Sequence, residues 1–221
     1  MANYYHLSTC DERDNNFITL RDNLDGGPLI YCAYLDCICP SCHSVDRDAL
    51  FARKHGLEGG PKIRVSKGRE FAEARDGFLL IKSRVLELLR QHKVAGYDTR
   101  QVPYTEWHVF RITTRVPYQD FKPNREKAPC KTCGRGAYYG SAFALREIAL
   151  PDHPNTFFAP DAERTNAYDV YLTESVAQML KTSGVKGGSL SRLLDDDEVR
   201  LLREDTPAAR RKVKNREIYL T

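Results

Sequence analysis

The sequence predicts an α+β protein of two pseudo-repeated lobes, each a strand–helix unit, joined by a zinc-ribbon-like site. Three observations lead there. The chain carries two Cys-x-x-Cys knuckles, Cys39-Pro40-Ser41-Cys42 and Cys130-Lys131-Thr132-Cys133, and such turns let two thiolates converge on one ion. Cys130 follows Cys39, and Cys133 follows Cys42, by the same 91 residues. At that offset residues 79–96 (LLIKSRVLELLRQHKVAG) align without a gap on residues 170–187 (VYLTESVAQMLKTSGVKG). Ile81 lies over Leu172, Val85 over Val176, Leu88 over Met179, Leu89 over Leu180, Val94 over Val185 and Gly96 over Gly187. Knuckle and helix share one register, which reads as an internal duplication. The predicted lobes are 1–100 and 101–221, packed as one compact unit.

Taken in order, residues 3–8 (NYYHLS) and 28–35 (PLIYCAYL) are aromatic and β-branched and read as strands, the second running into the first knuckle. Asp46 or Asp48 can cap a short helix over Ala49 to Lys54. A break at Gly59-Gly60-Pro61 precedes a short strand around Ile63 to Val65. Phe78 to Ile81 is a buried strand, Ser83 the cap of a helix with Val85, Leu86, Leu88 and Leu89 as its stripe, and Gly96 the stop. Residues 105–114 (TEWHVFRITT) alternate imperfectly as a strand with Trp107, Val109 and Ile112 inward. After the second knuckle, the prolines within 151–166 predict an extended surface loop. Tyr168 to Leu172 is the second copy's strand, and its helix presents Val176, Met179 and Leu180 and closes at Gly184 and Gly187. The acids Asp195 to Glu198 belong at a helix start, where the dipole favours them, and Glu217 to Leu220 forms an edge strand.

With 221 residues the chain can bury a sizeable core. Its net charge of +4 (34 Lys and Arg against 30 Asp and Glu) is too mild and too dispersed to imply nucleic acid by itself. No apolar run is long enough for a membrane helix, and the first residues lack a signal pattern, so the expected location is cytoplasmic. Seven cysteines, four of them at knuckle spacing, argue for reduced thiols on a metal rather than a disulfide framework.

The metal set is therefore Cys39, Cys42, Cys130 and Cys133, holding one structural zinc per chain. Gly134 suits the sharp turn after the second knuckle, and His43 takes the matching place in the first. Cys37 and His43 remain competing ligands, although Cys37, Cys32 and Cys10 have no cysteine mate at the 91-residue offset. A four-sulfur site leaves no open position for catalysis. Glu106 and His108, on one strand face, are the weak acid–base candidates, and a solvated face is the commoner reading. The basic segment Arg210 to Arg216 is read as a solvated helix face, with nucleic-acid contact as its sharper alternative. Aromatics near the second knuckle, Tyr118, Phe121, Tyr138 and Tyr139, either meet a partner or pack around the metal.

The two distant knuckles, the opening Tyr4-Tyr5-His6-Leu7, the Val45 to Leu50 segment and the closing Asp169 to Val176 with Gly184-Val185-Lys186-Gly187 together resemble the double-CXXCG proteins of myxobacteria. His43 departs from that pattern, where glycine is expected. Members of that family are regarded as immunity proteins encoded beside toxins. The resemblance implies a cytoplasmic, non-enzymatic antitoxin that neutralises one cognate protein toxin by binding it, with no contact residues beyond the knuckle cysteines carried over. The competing reading is a zinc-ribbon nucleic-acid-binding or regulatory protein that uses the basic C-terminal segment.

Overall fold

The computed structural model describes residues 3–9, 11–12, 37, 39–41, 46–52, 67–74, 79–102, 104–119, 130–134, 144–160, 169–203 and 217–220. The expected strands at 28–35 and 63–65 lie outside them. The fold is α+β with two sheets. In chain order the elements are β1 (Tyr4–Thr9), β2 (Asp11–Glu12), α1 (Arg47–Ala52), β3 (Phe71–Ala74), β4 (Leu79–Lys82), α2 (Ser83–Gln91), β5 (Tyr97–Gln101), β6 (Trp107–Ile112) and β7 (Arg115–Val116). A 3-10 turn at Leu145–Glu147 follows, then β8 (Phe157–Pro160), β9 (Val170–Thr173), α3 (Glu174–Thr182), β10 (Gly188–Arg192), α4 (Asp196–Arg203) and β11 (Glu217–Leu220). The larger sheet runs β11-β10-β1-β9-β8-β7 and the smaller β2-β3-β4-β6-β5. No helix among the described residues is long and apolar enough to cross a membrane.

Each sheet contains a strand–helix–strand unit opened by an antiparallel strand between its two arms. In the smaller sheet, β6 separates β4 from β5, with Phe110 opposite Leu79 on one side and Thr99 on the other. In the larger, β1 separates β9 from β10, with Leu7 opposite Val170 and Leu190. Moving 91 residues along the chain carries β4, α2 and β5 onto β9, α3 and β10, end for end. The outer strands match as well: Phe71 of β3 faces Ile81, and Phe157 of β8 faces Leu172. The middle strands have different origins, since β6 follows its unit in sequence whereas β1 precedes its own.

The two units touch through matching bonds. The Phe71 amide donates to the Lys186 carbonyl at 3.1 Å, and the Phe157 amide to the Ala95 carbonyl at 3.0 Å. Space is tight there. A methyl at Gly187 would lie 2.5 Å from the Phe71 oxygen, and one at Gly96 would overlap the Phe157 oxygen. Each helix start is also tied to the C-cap carbonyl of the other helix. Arg84, at the head of α2, donates to the Ser183 carbonyl at 2.7 Å. Asn155, which accepts a bond from Ser175 at the head of α3, donates to the His92 carbonyl. Glu70 strengthens the first tie by accepting from Arg84 at 2.6 and 2.7 Å and from the Lys186 amide at 3.2 Å.

One apolar cluster draws on both units. Ile81, Val85, Leu89, Val94, Phe110 and Ile112 meet Tyr5, Leu7, Leu172, Val176, Leu180, Val185 and Leu190, with Phe71 and Phe157 between them. Complete burial of one such side chain contributes about 1.5–3 kcal/mol, so this shared interior dominates the stability.

Four local expectations are corrected. Residues 157–160 of the expected surface loop are a fully buried strand, because Phe157 and Phe158 fill opposite faces of the larger sheet. Ser83 is the first helical residue rather than the cap, which is Lys82. Its hydroxyl instead donates to the Glu106 carbonyl at 3.1 Å. Trp107 and Val109 point away from Ile112, which shares the main core with Phe110, so β6 is buried on both faces and its alternation is blurred. Gly96 does not end α2. That turn is made two residues after the helix by Lys93, at φ 51°, where the second unit has Gly184 at φ 62°.

Candidate metal centre

The first knuckle leads directly into α1. Asp46 is the cap, its Oδ1 accepting the Ala49 amide at 2.8 Å, while its own amide donates to the Cys37 carbonyl at 2.6 Å. Cys39 is buried. The second knuckle is a tight turn in which the Gly134 amide donates to the Cys130 carbonyl at 2.8 Å, with Gly134 in left-handed backbone.

The Sγ atoms of Cys39, Cys130 and Cys133 all lie within 4.8 Å of one another. Cys39 and Cys130 stand 3.8 Å apart. Tetrahedral ligands at a metal–sulfur distance of about 2.3 Å are about 3.8 Å from each other, nearly twice the sulfur–sulfur bond of a disulfide. Thiols at that spacing, not joined in a disulfide, form a group able to hold a metal ion. The donors are all soft sulfurs, a set that favours zinc, Cu(I) or iron over the hard oxygen-seeking cations.

Beside the sulfurs, the hydroxyls of Ser41 and Thr132 hydrogen-bond at 2.6 Å. In both contacts, Cys39 with Cys130 and Ser41 with Thr132, a residue touches its counterpart 91 positions away. The sequence carried this second pair too, at the same offset as the cysteines.

Cys42 and His43 lie outside the described residues, as do Cys10 and Cys32. Cys37 is described and is not part of the sulfur group. It is buried, and burial first, then the nearby Asp46 carboxylate, raises its pKa and keeps it a neutral thiol.

Glu106 and His108 each have a structural partner. Glu106 pairs with Lys82 at 2.6 Å, and Lys82 also lies over the Trp107 ring. His108 Nε2 is 3.1 Å from the Ser83 hydroxyl, and burial, followed by Arg90, lowers its pKa. Tyr118 packs against a second apolar cluster of Val116, Ile148, Phe158, Tyr171 and Leu193. Phe121, Tyr138, Tyr139 and the basic segment Arg210 to Arg216 lie outside the described residues. The acids after Asp195 do begin a helix, α4, in a reciprocal cap: the Glu198 amide donates to Asp195 Oδ1 at 2.8 Å and the Asp195 amide to Glu198 Oε2 at 3.1 Å. Arg192 also pairs with Glu198.

The ties between Glu70, Arg84 and the second unit were not foreseen. Glu70 lies outside the repeated segment and Arg84 has Ser175 as its counterpart there, and across the units they bond to main-chain groups more than 90 positions away. Searches against protein-family models, curated proteins and solved structures return no match for this chain.

Proposed function

We propose that this chain is an internally duplicated, non-catalytic binding protein whose halves are held by one structural zinc, and that it serves as a cytoplasmic immunity protein, neutralising a cognate protein toxin by occluding it. The observation that carries the reading is the meeting of Cys39, Cys130 and Cys133, three thiols from two knuckles far apart in sequence. Cys42, outside the described residues, is proposed as the fourth ligand because it precedes Cys133 by the same 91 residues that separate Cys39 from Cys130. Contacts between a residue and its own counterpart occur only near a twofold axis, so the Cys39–Cys130 and Ser41–Thr132 pairs support an ion lying on the pseudo-dyad of a duplicated fold. The matching bonds of Phe71 and Phe157 across the two units support the same axis.

A metal joining two small units fixes their mutual orientation before any partner arrives, which lowers the ordering cost of binding. The immunity role rests on the resemblance of the two knuckles and the closing strand–helix to the double-CXXCG pattern. The test is co-expression with the product of the adjacent reading frame. Rescue of growth and co-purification as a stable complex are expected. A toxic neighbour that this protein neither binds nor blocks overturns the role, and retention on duplex DNA with a steep salt dependence would favour the nucleic-acid reading. Elemental analysis tests the site separately, with one zinc per chain expected.

A further inference from the structure

The two sheets end differently at matching strands. In the larger sheet β10 is covered on its outer side by β11, antiparallel, with Leu190 opposite Ile218. In the smaller sheet β5, which matches β10, is the terminal strand, and among the described residues no strand lies beyond it. The direction of its main-chain groups is fixed by the ladder to β6. The Val102 amide donates to the Trp107 carbonyl and the Thr113 amide to the Gly96 carbonyl, so even-numbered residues of β5 bond to β6. The amides and carbonyls of Tyr97, Thr99 and Gln101 therefore point off the sheet edge. The Thr99 amide turns to the Asp98 carboxylate of its own strand at 2.8 Å.

We infer that this edge joins a second copy of the chain, β5 against β5, antiparallel and centred on Thr99. The side chains select this occupant. In that register Asp98 of each copy, which in its own chain also pairs with Arg111 at 3.5 Å, stands opposite Arg100 of the other, which lies over the Phe51 ring of its own chain, and Tyr97 stands opposite Gln101. Asp98 and Arg100 fall at non-hydrogen-bonded positions, where facing side chains are closest and an opposite-charge pair stabilises while a like-charge pair repels. Thr99 falls at a hydrogen-bonded position, so pairing exchanges its amide's bond to Asp98 for one to the carbonyl of its mate and releases that carboxylate towards the facing Arg100. Charges on an exposed edge ordinarily discourage strand addition. Here one acid and one base, two residues apart around the centre, are self-complementary and discourage any strand that lacks the same pattern. The match with β10 supports the geometry, because the corresponding edge of the larger sheet already accepts an antiparallel strand.

The mass of the metal-bound full chain in solution, measured by sedimentation or light scattering from low to high micromolar concentration, tests this. The expected result is a concentration-dependent rise from 25.2 kDa to about twice that value. Arg100→Glu places two acids against each other on both sides of the dyad and should weaken the dimer at least ~10-fold. Thr99→Pro removes the central outward donor and should also give a monomer. The exchange Asp98→Arg with Arg100→Asp should restore the dimer relative to Arg100→Glu, with circular dichroism showing that every variant is folded. A chain that stays at its monomer mass throughout overturns the proposal. A dimer indifferent to Arg100→Glu and Thr99→Pro, or a folded charge exchange that fails to restore association, overturns it equally. Capture of a toxin strand by β5 of a monomeric chain would do the same.

Discussion

Lys93 and Gly184 do the same work after α2 and α3, turning the chain in left-handed backbone so that Val94 and Val185 bond back to Leu89 and Leu180 at 2.9 and 3.1 Å. A side chain with a Cβ costs about 1 kcal/mol or more in that conformation, and glycine does not. Lys93→Gly should therefore stabilise the protein by roughly 0.5–1 kcal/mol, and Gly184→Ala, which meets open space, should destabilise it by a similar amount, both read from urea midpoints. Gly96→Ala makes a useful contrast. Its methyl would overlap the Phe157 carbonyl oxygen, a backbone atom fixed in a buried strand, and a loss of ~3 kcal/mol or more is expected.

At the level of elements, α2 is fastened to β6 through Ser83 and His108. The folded state holds His108 below its ordinary pKa, so the unfolded chain binds the proton more readily. Stability from this residue is complete above the unfolded value of about 6.5 and declines as pH falls through it towards the lower folded value. Glu174 has the same sign in a more acidic window. Its bonds from Asn3 lower its pKa, so its contribution is complete above the unfolded carboxylate value and is lost as pH falls from there through the folded value. Between pH 5.5 and 7.5 the histidine alone of these two changes charge. His108→Gln should accordingly shrink the fall in urea midpoint over that range, measured at saturating metal, and an unaltered fall would remove His108 from the account.

For the whole molecule, the apolar cluster joins the two units, and the sulfur group joins two knuckles remote in sequence. The shared interior alone should keep a chelated chain folded, but without the cross-link that adds metal-binding energy to folding. Metal removal is expected to lower the melting temperature by roughly 10 °C, restored by zinc, and Cys39→Ser should reproduce the loss. Unchanged melting after verified removal would mean that the ion holds nothing together.

Part of this was legible in the chain. The helical stripe of Val85 and Leu89 repeats as Val176 and Leu180 because amphipathic periodicity is a local property, and both stripes do line the common core. The knuckles were readable for a similar reason, since two cysteines three apart are a short-range signal. Other features were hidden in distance. Phe157-Phe158-Ala159 carries no alternation because both of its faces are buried, and nearby prolines disguised it as a loop. The strand at the centre of each unit could not be assigned either, because β1 and β6 occupy equivalent places from opposite sides of their helices in the sequence. By itself, then, the sequence determined two strand–helix segments with matching apolar stripes and two Cys-x-x-Cys pairs. Only the tertiary structure decided that Cys39 meets Cys130 and that β5 ends the smaller sheet among the described residues, because strand partners and ligand groupings are settled by contacts between residues remote in the chain.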